Sequence, residues 1–279
     1  MNPEKGTKLA RGRRYVAGES AETEDLLTVE APLHLKVNGV AYTTTMRTPG
    51  EDEALARGLL FTEGIVPDPD AAVAFRAIDD PESGGTACLE ITVADAYLAK
   101  SIDGRRTMLS ASSCGVCGTR DPADLEVFGP PLAIAAQERL DVTRISSFLR
   151  EMRKRQHDFG ASGGSHAAAI FDASGAALVV MEDIGRHNAV DKAVGSLLAE
   201  GRISNAAVVL VSGRVSYEIV YKAYRAQIPF LLAVSAPSSM AVETADRLGL
   251  TLVAFCRDDR ATVYAHRENV VGAVAEVKG

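Results

Sequence analysis

Cysteine is scarce: four residues in a chain of 279 do not make a disulfide framework, and Cys88 and Cys256 stand alone. Only Cys114 and Cys117 are close together. Long apolar runs are missing too. None approaches the roughly 18 residues that a membrane-spanning helix needs. The start carries Lys5, Lys8, Arg11, Arg13 and Arg14, but no apolar stretch follows, so a signal peptide is not expected and residues 1–28 read as a flexible basic arm. Basic charge is also short overall. Thirty Lys and Arg against 37 Asp and Glu give a formal charge of −7, which argues against general nucleic-acid binding, where phosphates reward an excess of cations. What is left is a chain of one or two domains in a reducing compartment, with no membrane partner and the cytoplasm as the default.

The pattern along the chain divides into three. Residues 29–109 read as a small α+β unit. In it, an Asn38-Gly39 turn joins two strands, an amphipathic helix covers residues 51–65, and a further strand covers 87–93. Residues 110–143 are Ser-, Gly- and Pro-rich around the paired cysteines and read as a mobile loop and linker. Residues 144–279 read as an α/β domain. Three apolar strands, at 208–211, 230–234 and 252–256, alternate with helices of about ten residues, the signature of a parallel sheet with right-handed crossovers.

Ligands of open parallel sheets bind beyond the carboxyl ends of the strands. Those ends here are Ser212-Gly213-Arg214, the segment opening at Ser235, and Arg257-Asp258-Asp259-Arg260. All are polar and two carry arginine, whose planar fork suits phosphate oxygens. Helices begin just after the first two, with free N–H groups toward the same mouth. The expectation is a pocket for a phosphorylated ligand.

Cys114-Gly115-Val116-Cys117 is the strongest chemical feature. Glycines give access, Arg120 is near in sequence, and paired thiols can share a sulfane sulfur. Zinc would need a second Cys or His pair. No other CxxC or HxxxH occurs, so a zinc site would have to be completed across a dimer or by scattered ligands. A thioredoxin-like pair should open a helix, whereas Thr119-Arg120-Asp121-Pro122 reads as a loop. A zinc deaminase needs His-x-Glu and Pro-Cys-x-x-Cys, and neither is present. The Gly/Ser run ending at His166 reads equally as a turn or a ligand loop. In the segment from Glu182 to Asn188, a capping network accounts for Asp183 and Asn188. It does not account for Arg186 and His187 at the positive end of a helix, which suggests an anionic partner or an acidic neighbour such as Glu182. Asp191 and Lys192 read as a solvated helix face.

Several motifs in this order are similar to the formate dehydrogenase accessory sulfurtransferase family, FdhD. They are Ser113-Cys114-Gly115-Val116-Cys117-Gly118, Gly163-Gly164-Ser165-His166-Ala167, the run from Glu182 to Lys192, Ser212-Gly213-Arg214 and Phe255-Cys256-Arg257. The resemblance implies a cytoplasmic homodimer that accepts sulfur as a persulfide from a cysteine desulfurase. It implies delivery to the molybdenum of bis-molybdopterin guanine dinucleotide, the cofactor then entering formate dehydrogenase. It maps the persulfide carrier onto Cys114, with Cys117 in support, and cofactor binding onto Phe255, Cys256, Arg257, Asp258, Asp259 and Arg260. It also implies that the C-terminal domain is three-layered and resembles the cytidine deaminase fold, a mixed sheet with a parallel βαβαβ part. Two readings stay open beside it. One is a non-catalytic cofactor chaperone with structural or zinc-bound cysteines; the other is a dithiol oxidoreductase.

Overall fold

The computed structural model describes residues 6–79, 85–99, 129–133 and 139–272. The start of the chain departs from the expected flexible arm. Strands β1 (Thr7–Val16) and β2 (Glu19–Thr28) pair antiparallel in unbroken register from Thr7 opposite Thr28 to Val16 opposite Glu19. Ala17 and Gly18 turn between them at positive φ (51° and 92°), as a tight hairpin requires. The basic residues of β1 meet acids on β2: Arg11 with Glu24 at 3.0 Å, Arg14 with Asp25 at 2.8 Å. The expectation failed because it weighed the cations alone. Exposed pairs add little individually, about 0–1 kcal/mol, but they set which residues face each other.

The first sheet follows. β3 (Ala31–Val37) and β4 (Val40–Arg47) form the expected hairpin, with Asn38 and Gly39 both at positive φ. Helix α1 (Asp52–Thr62) leads to β5 (Val73–Asp79) and β6 (Thr86–Val93), in the order β4-β3-β6-β5 with β3 and β6 parallel. β5 escaped the sequence reading because it is an edge strand with most of its residues exposed. Leu33, Leu35, Leu55, Leu60, Leu89 and Ile91 close the core between sheet and helix.

The second unit begins earlier than residue 144. Strand β7 (Leu140–Asp141) already places Leu140 in its core and pairs with the last strand, β14 (Val270–Val271). Between them run α2 (Ile145–Lys154), α3 (His157–Ser162), β8 (His166–Phe171), β9 (Ala177–Asp183), α4 (Arg186–Ala199), β10 (Val208–Val211), α5 (Tyr217–Arg225), β11 (Phe230–Ala233), α6 (Ser239–Leu248), β12 (Thr251–Ala254) and β13 (Thr262–Ala265). The sheet order is β13-β12-β11-β10-β8-β9. β10, β11 and β12 are parallel, as expected, and every residue in them is buried. β8 runs antiparallel to β10, and the edge strand β13, absent from the sequence reading, antiparallel to β12. Helices α4, α5 and α6 share one core with one face of the sheet, and α2 packs on the other. The result is a two-domain α/β architecture.

Helix α1 belongs to both units. Leu55 and Leu60 face the first core while Phe61 joins the second. It crosses α4 backbone to backbone: a Cβ on Gly195 would stand 1.8 Å from the Ala54 carbonyl oxygen, and one on Gly58 would stand 1.9 Å from that of Asp191. No helix among the described residues is long and apolar enough to cross a membrane.

Candidate functional site

Residues 182–192 divide into two sets. The first fastens the units together. Asp183, fully buried, pairs with Lys192 at 2.8 Å and accepts from the backbone N–H groups of Thr48 (3.1 Å) and Gly185 (2.8 Å). Lys192 also donates to the Thr48 carbonyl, and Asn188 to the Met46 carbonyl and to Asp183. The Ile184 N–H donates to the Thr48 hydroxyl. Asp191 binds Lys222 of α5 at 2.7 Å and the Thr62 hydroxyl of α1 at 2.8 Å. Burial raises the Asp191 carboxyl above its ordinary range, with the Lys222 ammonium pulling it back. The solvated face expected at Asp191 and Lys192 is thus an internal seam. The error has a plain cause: helical spacing marks the apolar stripe, not what a second unit will cover. Glu182 is also not the acid beside Arg186 and His187. It accepts from the N–H groups of Asp158 and Phe159 at the start of α3 and from the Ser165 hydroxyl.

The second set opens toward the carboxyl edge of the sheet. Arg186 and His187 begin α4, and Ser212, Gly213 and Arg214 follow β10. Because β8 is antiparallel, its first residue, His166, lies at the same edge. Gly213 is the floor: a Cβ there would sit 3.2 Å from Arg186 Cβ and 3.3 Å from His166 Nδ1. The Ser212 hydroxyl accepts from the Ala167 N–H, which pins the loop to β8. His187 Nε2 lies 3.0 Å from Glu218 and 3.2 Å from the Ser216 hydroxyl. Both contacts use one ring nitrogen, so this is not the relay of a nucleophilic serine, in which the acid holds the other nitrogen. Val215 and Pro237 bridge the loops after β10 and β11, bringing Ser235 and the start of α6 to the same mouth. Ser238 caps that helix.

The third loop is placed less evenly than expected. Phe255 is 40% exposed with φ at +53°, an uncommon conformation for a bulky residue, and its ring lies 6.3 Å from that of Tyr264. Cys256 points inward: it is fully buried, with Sγ 3.8 Å from the Val253 carbonyl, and burial pushes its thiol up to about 11. Its side chain therefore belongs to the core rather than the mouth. Arg257 donates to the carbonyls of Val234 and Cys256, and its N–H closes a turn on the Arg260 carbonyl. Asp258 and Asp259 are exposed there. Cys114 and Cys117 lie outside the described residues. The sequence left the run ending at His166 open between a turn and a ligand loop; only the antiparallel pairing of β8 shows which edge it occupies.

Fold and site define a two-domain α/β protein with a cationic, serine-lined mouth at the edge of its larger sheet. The chain belongs to the FdhD/NarQ family, whose model matches residues 28–271. Its relatives include the sulfur carrier protein FdhD of Mycolicibacterium paratuberculosis, 40% identical over 277 residues, which span 95% of this chain and 98% of that one. The sulfur carrier protein FdhD of Saccharolobus solfataricus is 37% identical over 262 residues, 92% of this chain and 95% of that one. The crystal structure of a formate dehydrogenase accessory protein from Desulfotalea psychrophila superposes with a TM-score of 0.72 at 23% identity, covering 95% of this chain and 99% of that one. At that identity the likeness shows the fold.

Proposed function

We propose that this protein is a sulfurtransferase that carries sulfur as a persulfide on Cys114, with Cys117 in support. The donor is a cysteine desulfurase and the acceptor the molybdenum of bis-molybdopterin guanine dinucleotide, destined for formate dehydrogenase. The protein works as a homodimer in the cytoplasm. Its C-terminal domain shares the cytidine deaminase fold, a reading supported by the mixed sheet with a parallel βαβαβ part. Membership of a family whose relatives are named sulfur carriers supports the chemistry. The observation that carries the cofactor reading is the convergence of His166, Arg186 and Arg214 on Gly213 at the starts of α4 and α5. Arginine forks and free helix N–H groups suit the phosphates of a dinucleotide.

Ser212, Ser235 and His187 line the same mouth, and the exposed ring of Phe255 offers a face for a planar heterocycle. The positive φ of Phe255 favours that role. A strained backbone persists where its surroundings hold it. Here the Phe255 N–H bonds the Ser235 carbonyl, the Cys256 N–H bonds the Ala233 carbonyl, and the Cys256 thiol is anchored in the core.

Two displacements make up the transfer. The Cys114 thiolate attacks the terminal sulfur of the donor persulfide, forming a new S–S bond and releasing the donor thiolate. That outer sulfur would then go to the substrate's molybdenum as sulfide, the Cys114 thiolate leaving and the reduced metal supplying the two electrons.

Intact mass after incubation with a cysteine desulfurase and cysteine tests this. Added sulfur that a reductant removes, and that Cys114→Ala lacks while still folded, is the expected result. No added sulfur on the wild-type protein would return the chain to the chaperone reading.

A further inference from the structure

We propose that His166 is an anion-responsive binding residue, which takes up a proton when a phosphate-like group enters the mouth at Gly213. The proposal rests on the mouth being an anion site and adds the residue that responds to it.

His166 is half-buried at the start of β8, and its ring makes no hydrogen bond with another described residue. Its Nδ1 faces Gly213, where the missing side chain leaves a cradle shared with the Arg186 stem. The charged groups around it come from every neighbouring element. Among the described residues they are Arg186 and His187 on α4, Arg214 on the loop after β10, and Asp183 at the end of β9.

The acids are already committed. Asp183 is held by Lys192 and two backbone N–H groups, and Glu218 by His187. Among the described residues the groups acting on His166 are mostly cationic, and burial followed by Arg186 holds its imidazole below the usual histidine range, with Asp183 opposing. In the free protein the ring is neutral near pH 7. An anion between Arg186 and Arg214 cancels the field that keeps the proton off, and the open ring nitrogens supply the acceptor and then the donor.

The sign follows from linkage. The bound state holds more protons than the free state, so affinity rises as pH falls, by up to tenfold per unit between the free and bound pKa values. Above that window affinity is independent of pH.

The test is a histidine NMR titration of the full-length protein with and without inorganic sulfate, whose charge is constant across this range. The chain has five histidines, and His166→Gln assigns the resonance. The expected result is a His166 pKa below the ordinary value that rises by about one unit or more with sulfate. His187, already paired with Glu218, should move less. Sulfate bound at the mouth, seen by backbone shifts at Gly213 and Arg214, with an unmoved His166 would overturn this inference alone. A larger shift at His187 than at His166 would overturn it as well. No sulfate binding at the mouth would overturn both this inference and the phosphate reading on which it rests.

Discussion

Residues 182–192 build two regions that use charge in different ways. At the seam, Asp183 and Lys192 are dry, paired with each other and hydrogen-bonded to the backbone of the first unit. At the mouth, Arg186 and His187 sit half-buried beside His166 and Arg214. The difference is one of reach: alternate turns of one helix start face α1 and the residue 45–48 backbone on one side and the loop after β10 on the other. A charge that is fully compensated inside fixes geometry. At the mouth the charges stay near the surface, with His187 held by Glu218 at its side.

Lys192→Met should break the seam most severely. It strands the buried Asp183 carboxylate, and removing one partner of a buried pair costs about 3–5 kcal/mol. Urea unfolding would register the loss, and a change under 1 kcal/mol would show that the pair is dispensable. Gly195→Ala attacks the same seam by shape. The added methyl meets the fixed carbonyl of Ala54, so α1 and α4 must separate, at a cost of about 1–3 kcal/mol despite the better helix propensity of alanine. A thermal melt at or above wild type would contradict the close crossing.

The mouth should respond in the opposite sense. Arg214 is exposed and forms no side-chain hydrogen bond with another described residue, so in Arg214→Gln stability should hold within about 0.5 kcal/mol. Binding of guanosine diphosphate should weaken about tenfold or more, the worth of one charge-assisted hydrogen bond. Equal affinity by calorimetry would remove Arg214 from the site. The smallest effect concerns pH. Because the folded state holds the His166 proton less tightly than the unfolded chain, stability without ligand should fall as pH drops through about 6.5, and His166→Gln should flatten that slope. An unchanged slope in the variant would assign it to another group.

Much of this was legible in the residues. The Asn38-Gly39 hairpin, α1, α2 and the run from β8 to β12 follow from short-range pattern: alternation, helical spacing and turn chemistry. The family motifs were legible as well. What was missed lies where the partner is distant in sequence or the strand is half exposed. β5 and β13 are sheet-edge strands with weak apolar signal. The β1–β2 ribbon depends on acids ten or more residues from the bases they meet. Cys256 and Arg257 were grouped by adjacency, yet successive residues point to opposite sides, one into the core and one outward.

The sequence by itself determined the class of the larger domain, its parallel strands and the polar chemistry at their ends, because each depends on local pattern. Tertiary structure alone decided which charges became seam and which became mouth. That choice rests on desolvation: the second unit excludes water from Asp183, Asp191 and Lys192, and nothing in the spacing of those residues records which surface will be covered.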